Sequence, residues 1–173
     1  MSERTHDLLV VGGGPAGAAT AYWAATNGLD TIVVERKAFP REKTCGDGLT
    51  PRAVHQLAEM GLGKQLGHYH RFDGLRAIAH GRTLEMAWPE HDVYPSHGYV
   101  VRRGDLDTFV AQRAVEAGAE LHQSTEAVRP LAADGPGIAG ALVVDRATGT
   151  AHEIRARYVA VGDGANSRFG RIL

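Results

Sequence analysis

Residues 8–17 read Leu8-Leu9-Val10-Val11-Gly12-Gly13-Gly14-Pro15-Ala16-Gly17. A short continuous apolar run that stops on glycines predicts a strand buried on both faces. Pro15 suits the first turn of a helix, where its missing N–H costs nothing. The alanine-rich stretch 16–26 continues that helix to a stop at Asn27-Gly28. Thr31 to Val34 then predicts a second strand, parallel to the first, so the opening of the chain is a βαβ unit with a right-handed crossover.

Within that unit Gly12, Gly14 and Gly17 form G-x-G-x-x-G at a strand-to-helix turn. The first glycine permits the tight turn, the second lets backbone approach a pyrophosphate, and the third allows the helix to pack closely on the strand. The helix N-terminus turns unpaired N–H groups toward an anion. Glu35 ends the second strand at the spacing expected of the carboxylate that accepts from a ribose. The motif and the carboxylate together point to a dinucleotide site.

Outward from there, 38–49 reads as a loop with Pro40, Gly46 and Gly48, long enough to suggest function. Thr50-Pro51 opens a helix through Val54, Leu57 and Ala58 to Gly61. Residues 74–88 predict a hairpin turning at Gly81-Arg82, and 99–102 a strand. A helix is predicted from Asp105 to Gly118, with a strand over 119–122. Strand runs at 125–129, 138–145 and 150–157 predict a β-meander, followed by a separate short strand at 158–161 and a new helix after Gly162-Asp163-Gly164. The expected fold class is α/β: a Rossmann-like βαβ domain with a β-meander and the start of a β-rich substrate domain, incomplete.

Composition excludes several classes. The 173 residues carry 19 Lys+Arg against 20 Asp+Glu, so no basic footprint for nucleic acid exists. Cys45 is the one cysteine and makes no internal disulfide; the start, Ser2 to Asp7, lacks a signal-peptide layout. The expected location is cytoplasmic, with room for peripheral contact at the inner face of the membrane, since no apolar run is long enough to span it. His68 and His70 lack a third ligand or a cysteine pair, so no metal is expected and a solvated surface is the better reading.

The stretch 10–17, with Glu35-Arg36, resembles the FAD fingerprint of the two-dinucleotide-binding-domain flavoproteins. The segment 40–51, Pro40-Arg41-Glu42-Lys43-Thr44-Cys45-Gly46-Asp47-Gly48-Leu49-Thr50-Pro51, is similar to P-R-x-K-x-C-G-D-G-L-T-P of the geranylgeranyl reductase family, in particular its menaquinone reductase branch. Gly162-Asp163-Gly164 resembles the D-G motif shared by that family and the aromatic flavin hydroxylases, and Arg103 matches a position where family members set an arginine against the flavin.

The resemblance implies FAD as cofactor, held by Gly12, Gly14, Pro15, Ala16, Gly17, Glu35, Arg36, Cys45, Gly46, Asp47, Gly48, Leu49, Arg103 and Asp163. Cys45 would also face the reacting centre as a catalytic candidate, although a lone cysteine is more often an inert small hydrophobe. The implied activity is reduction of an isoprenoid C=C bond, in the menaquinone side chain or another polyprenyl lipid, with an external electron donor and a proton donor that the sequence does not identify. The rivals are an aromatic hydroxylase, which has no reason to carry Cys45-Gly46-Asp47-Gly48, and a non-catalytic fragment. Leu75, Met86 and Trp88 read as packing residues of the sheet. With Ile78 they are also the types that would line an apolar substrate cleft. Family members are about twice as long, so residues 1–173 are expected to be the N-terminal part of an FAD/NAD(P)-binding domain, with 68–100 the first part of a substrate domain. Alone, the chain is expected to retain flavin poorly and not to turn over.

Overall fold

The computed structural model describes residues 4–173; Met1, Ser2 and Glu3, on which part of the leader reading falls, lie outside the described residues. The elements are β1 (Thr5–Val11), α1 (Pro15–Thr26), β2 (Thr31–Val34), β3 (Gly48–Leu49), α2 (Pro51–Glu59), α3 (Gly63–Leu66), β4 (His70–Phe72) and β5 (Gly74–Ala79). They continue with β6 (Arg82–Ala87), β7 (Gly98–Val100), α4 (Arg103–Glu116), β8 (Glu120–His122), β9 (Thr125–Ala132), β10 (Ile138–Asp145) and β11 (Ala151–Val161). They fall into two compact units: the chain up to Glu42 together with Gly104–Leu173, and Lys43–Arg103.

The first unit is built on a six-stranded sheet in the order β8-β2-β1-β11-β10-β9. β8, β2, β1 and β11 run parallel, and β10 and β9 turn back antiparallel as the meander. Leu9, Val10, Ile32, Val33 and Val34 are buried, as the unbroken apolar runs require. Alternation divides them between the two faces. Leu9, Val11, Ile32 and Val34 form one core cluster with Ala141, Val143, Ile154 and Ala156 of the meander. On α1, Ala18, Ala21 and Tyr22 are buried, and the Arg113 guanidinium of α4 lies 5.2 Å over the Tyr22 ring.

Four sequence expectations change. The runs at 150–157 and 158–161 are one eleven-residue strand, because no turn residue interrupts them and the strand simply changes partner. Ala151 to Arg155 pair antiparallel with β10, while Arg155 to Val161 pair parallel with β1. The helix expected after Gly164 does not form; the segment winds through turns that bury Phe169 in the core. The hairpin turns at His80-Gly81, both at positive φ, so Arg82 is the first residue of β6. The fourth change is in the 38–49 loop, whose last two residues form β3.

The second unit joins β3, β7 and β4 in an antiparallel sheet backed by α2, with Leu49, Val54, Leu57, Met60, Leu66 and Val101 buried. The β5–β6 hairpin is a separate two-stranded sheet. Its Leu75–Met86 and Ala77–Leu84 cross-strand pairs share a face. Leu75, Leu84 and Met86 are exposed, as is Ile78 at 71%, which corrects the packing role expected of Leu75 and Met86. Trp88 is half-buried, its ring 6.1 Å from that of Phe72.

Candidate cofactor site

At the end of β1 the chain turns on Gly12, whose φ of +100° is open to glycine at no steric cost. A β-carbon there would also come within 2.7 Å of the Asp163 backbone N. At Gly17 a β-carbon would overlap the Gly12 carbonyl oxygen, and Gly17 packs closely on Gly162. The two glycine segments, from opposite ends of the sequence, therefore interlock backbone to backbone at the carboxyl ends of β1 and β11. Gly14 is the N-cap of α1. No side chain caps this helix and its first turn holds no acidic residue, so its N–H groups and dipole are available to an anion. Pro15 and Ala16 begin the helix, and Ala16 lines an open cleft of about 490 Å³ with Val161, Gly162, Asp163, Gly164 and Ser167. That size suits a small-molecule cofactor.

Glu35 closes β2 and is 6% exposed. Its backbone N–H donates to the His122 carbonyl of β8, and its own carbonyl accepts from Thr125, which fixes its place in the sheet. Its Oε2 accepts from the Gly13 N–H at 2.9 Å and its Oε1 from the Lys37 N–H at 3.1 Å. A carboxylate has about four acceptor sites, so Glu35 retains capacity for hydroxyl donors. Arg36, by contrast, is exposed, as is Asp163.

Sequence reasoning singled out neither Arg41 nor Asp107. Arg41 sets Nη1 3.0 Å from Asp107 Oδ2 and Nη2 3.5 Å from Glu35 Oε2. Asp107, on the inner face of α4, is fully buried. The signal for it was a charged residue among Leu106, Phe109 and Val110 at positions the helical period turns inward.

In the second unit, Asp47 organises the Cys45–Leu49 segment. Its φ of 55° sets the turn, its carbonyl accepts from Val101 at 2.8 Å, and its Oδ1 accepts from the Arg103 N–H at 3.2 Å. Gly48 and Leu49 then pair with Val100 and Tyr99. Cys45 and Gly46 are exposed. The Cys45 thiol is held below its ordinary value, first by the Asp47 backbone N–H and next by the Arg103 guanidinium, both of which favour the thiolate.

An interlocked glycine turn with no room for a β-carbon, an uncapped helix N-terminus and a buried carboxylate with acceptor capacity fit the diphosphate and ribose of a dinucleotide. Residues 5–173 match the family described as FAD binding domain, and the chain belongs to that family; its cofactor is FAD. It is 42% identical over 171 residues to a menaquinone reductase of Mycobacterium tuberculosis, covering 99% of this chain and 40% of that protein. To a digeranylgeranylglycerophospholipid reductase of Methanopyrus kandleri it is 37% identical over 168 residues, covering 95% and 39%. The resemblance to the geranylgeranyl reductase family and its menaquinone reductase branch is thus borne out.

Among solved structures, a geranylgeranyl bacteriochlorophyll reductase-like protein of Thermoplasma acidophilum superposes with a TM-score of 0.81 at 28% identity, covering 98% of this chain and 42% of that one. A myxobacterial FAD-dependent halogenase superposes with a TM-score of 0.89 at 24% identity, covering 98% and 40%; that likeness is one of fold alone. The chain spans about 40% of the length of the curated relatives it matches.

Proposed function

We propose that this chain supplies the FAD-binding part of a reductase that saturates an isoprenoid C=C bond, with the menaquinone side chain or another polyprenyl lipid as substrate. The observation that carries the reading is the Cys45–Leu49 segment, present in a chain 42% identical to a menaquinone reductase and folded so that Asp47 fixes its turn. Gly12, Gly14, Pro15, Ala16 and Gly17 would cradle the diphosphate and Glu35 would accept from the adenosine ribose, with Arg36 and Asp163 as further cofactor residues. Gly46, Asp47, Gly48, Leu49 and Arg103 would serve the flavin, with Cys45 as the catalytic candidate. FAD when bound supplies the hydride chemistry. The protein's own task is to bind, orient and exclude water.

Residues 68–100, within the second unit, begin the substrate domain in this reading. The hairpin's Leu75, Leu84 and Met86, on one face of the ribbon, offer an apolar surface of the kind a prenyl tail requires. No helix among the described residues is long and apolar enough to cross a membrane. We place the enzyme on the cytoplasmic side, in peripheral contact with the membrane that holds its substrate, with an external reductant as electron donor.

The test offers the reduced enzyme menaquinone and, separately, phenols with oxygen. A two-hydrogen mass gain in the quinone tail supports the reductase. Oxygen added to an aromatic ring, with the quinone unchanged, transfers the assignment to a hydroxylase. A complete enzyme purified without a flavin spectrum would mark a non-catalytic partner.

A further inference from the structure

Arg41 occupies an unusual place for a cation. Its side chain is 10% exposed, and a β-carbon on Gly14 would lie 3.3 Å from its Nη2, so the guanidinium sits against the N-cap of α1. The positive end of a helix dipole disfavours a cation there. Two carboxylates offset this, Asp107 at 3.0 Å and Glu35 at 3.5 Å, while Nε is buried and has no hydrogen-bond partner among the described residues. The guanidinium also lies over the Phe39 ring, 5.4 Å from its centre.

The asymmetry of the two carboxylate contacts is informative. Asp107 is completely buried and anchored on α4, so it fixes Arg41; Glu35 accepts from the Gly13 and Lys37 N–H groups and from Arg41, and keeps acceptor capacity on Oε1. The chain of contact therefore runs from the helix, through the cation, to the carboxylate at the nucleotide loop. Without the cation, Glu35 would present an uncompensated negative charge beside the place where a diphosphate binds, and like charges at that distance repel.

We propose that Arg41 is a cofactor-positioning residue: anchored by Asp107, it holds the Glu35 carboxylate in its ribose-binding orientation and neutralises it beside the diphosphate. The proposal rests on the reading of Glu35 as the ribose carboxylate. It goes beyond that reading in assigning a specific role to a pair of residues outside the glycine fingerprint.

A double-mutant cycle on FAD affinity, measured by flavin fluorescence, tests it. Arg41→Lys keeps the charge but loses the fork that reaches two carboxylates, and should weaken FAD about tenfold in the otherwise unchanged protein. In a Glu35→Gln background the same change should cost less than about twofold, because the neutral amide offers no carboxylate for the guanidinium to hold. Asp107→Asn, which frees the guanidinium, should reproduce the pattern of Arg41→Lys, and thermal unfolding confirms that each variant folds. If Glu35→Gln alone binds FAD unchanged, the ribose reading fails and this proposal with it. If Glu35→Gln weakens FAD but Arg41→Lys costs the same in both backgrounds, or nothing in either, the ribose reading stands and the positioning role is overturned.

Discussion

At the scale of single residues, the glycine turn leaves the least tolerance. A methyl on Gly17 has nowhere to go, since the Gly12 carbonyl oxygen occupies its place. Gly17→Ala should therefore lower the denaturant midpoint by an amount worth roughly 1–3 kcal/mol, as overpacking does elsewhere, and abolish flavin retention. A midpoint unchanged within error would mean that the loop can open. Cys45 titrates for local reasons: the Asp47 N–H and then Arg103 favour its thiolate. Arg103→Leu should move the midpoint of its alkylation rate upward in pH, toward an ordinary thiol, and an unmoved midpoint would discount the guanidinium. A depressed thiol pKa contributes stability above the unfolded value that is lost as pH falls through the folded value. Gly12, Gly17 and Glu35 were legible in the sequence because their spacing is local to one βαβ unit. The Arg41–Asp107 pair was not, because only folding brings a loop after β2 against a helix beyond the second unit.

Elements show where sequence patterns mislead. β1 and β2 were evident because a central strand is apolar throughout. β11 was read as two strands because its first half alternates beside β10 and its second half is apolar beside β1; the pattern changed with the neighbour and not with the backbone. The consequence is testable by hydrogen exchange. Gly162 donates to Val11, so by alternation the Tyr158 and Ala160 N–H groups face β1. Those of Arg157, Val159 and Val161 face the other side, beyond the last β10 pair at Gly140–Arg155. The amide of Val159 should exchange at least about tenfold faster than that of Ala160, and equal protection would show that the strand is covered there. The hairpin was legible in its alternation, but its surroundings were not, since alternation marks a two-faced ribbon without saying what covers either face.

For the whole molecule, the division into units predicts modularity. A β-carbon on Gly104 would lie 3.6 Å from the Glu42 side chain and 3.9 Å from the Arg41 carbonyl, so the segment Lys43–Arg103 leaves and rejoins the first unit at neighbouring points. Replacing 43–103 by a short Gly/Ser linker should leave a single cooperative thermal transition, because the sheet core contains no residue of that segment. Loss of cooperativity would show that the units fold as one. The interlock of Gly12 and Gly17 with Gly162 and Asp163 also sets a schedule for biosynthesis. A ribosome adding 5–20 residues per second needs roughly 8–30 seconds to travel from the first glycine segment to the second. Throughout that interval the first segment is an unfinished turn, open to solvent and without its backbone counterpart. On that schedule the turn is complete only once residues 162–163 have emerged, and a chaperone acting on the nascent chain before then meets the turn unfinished.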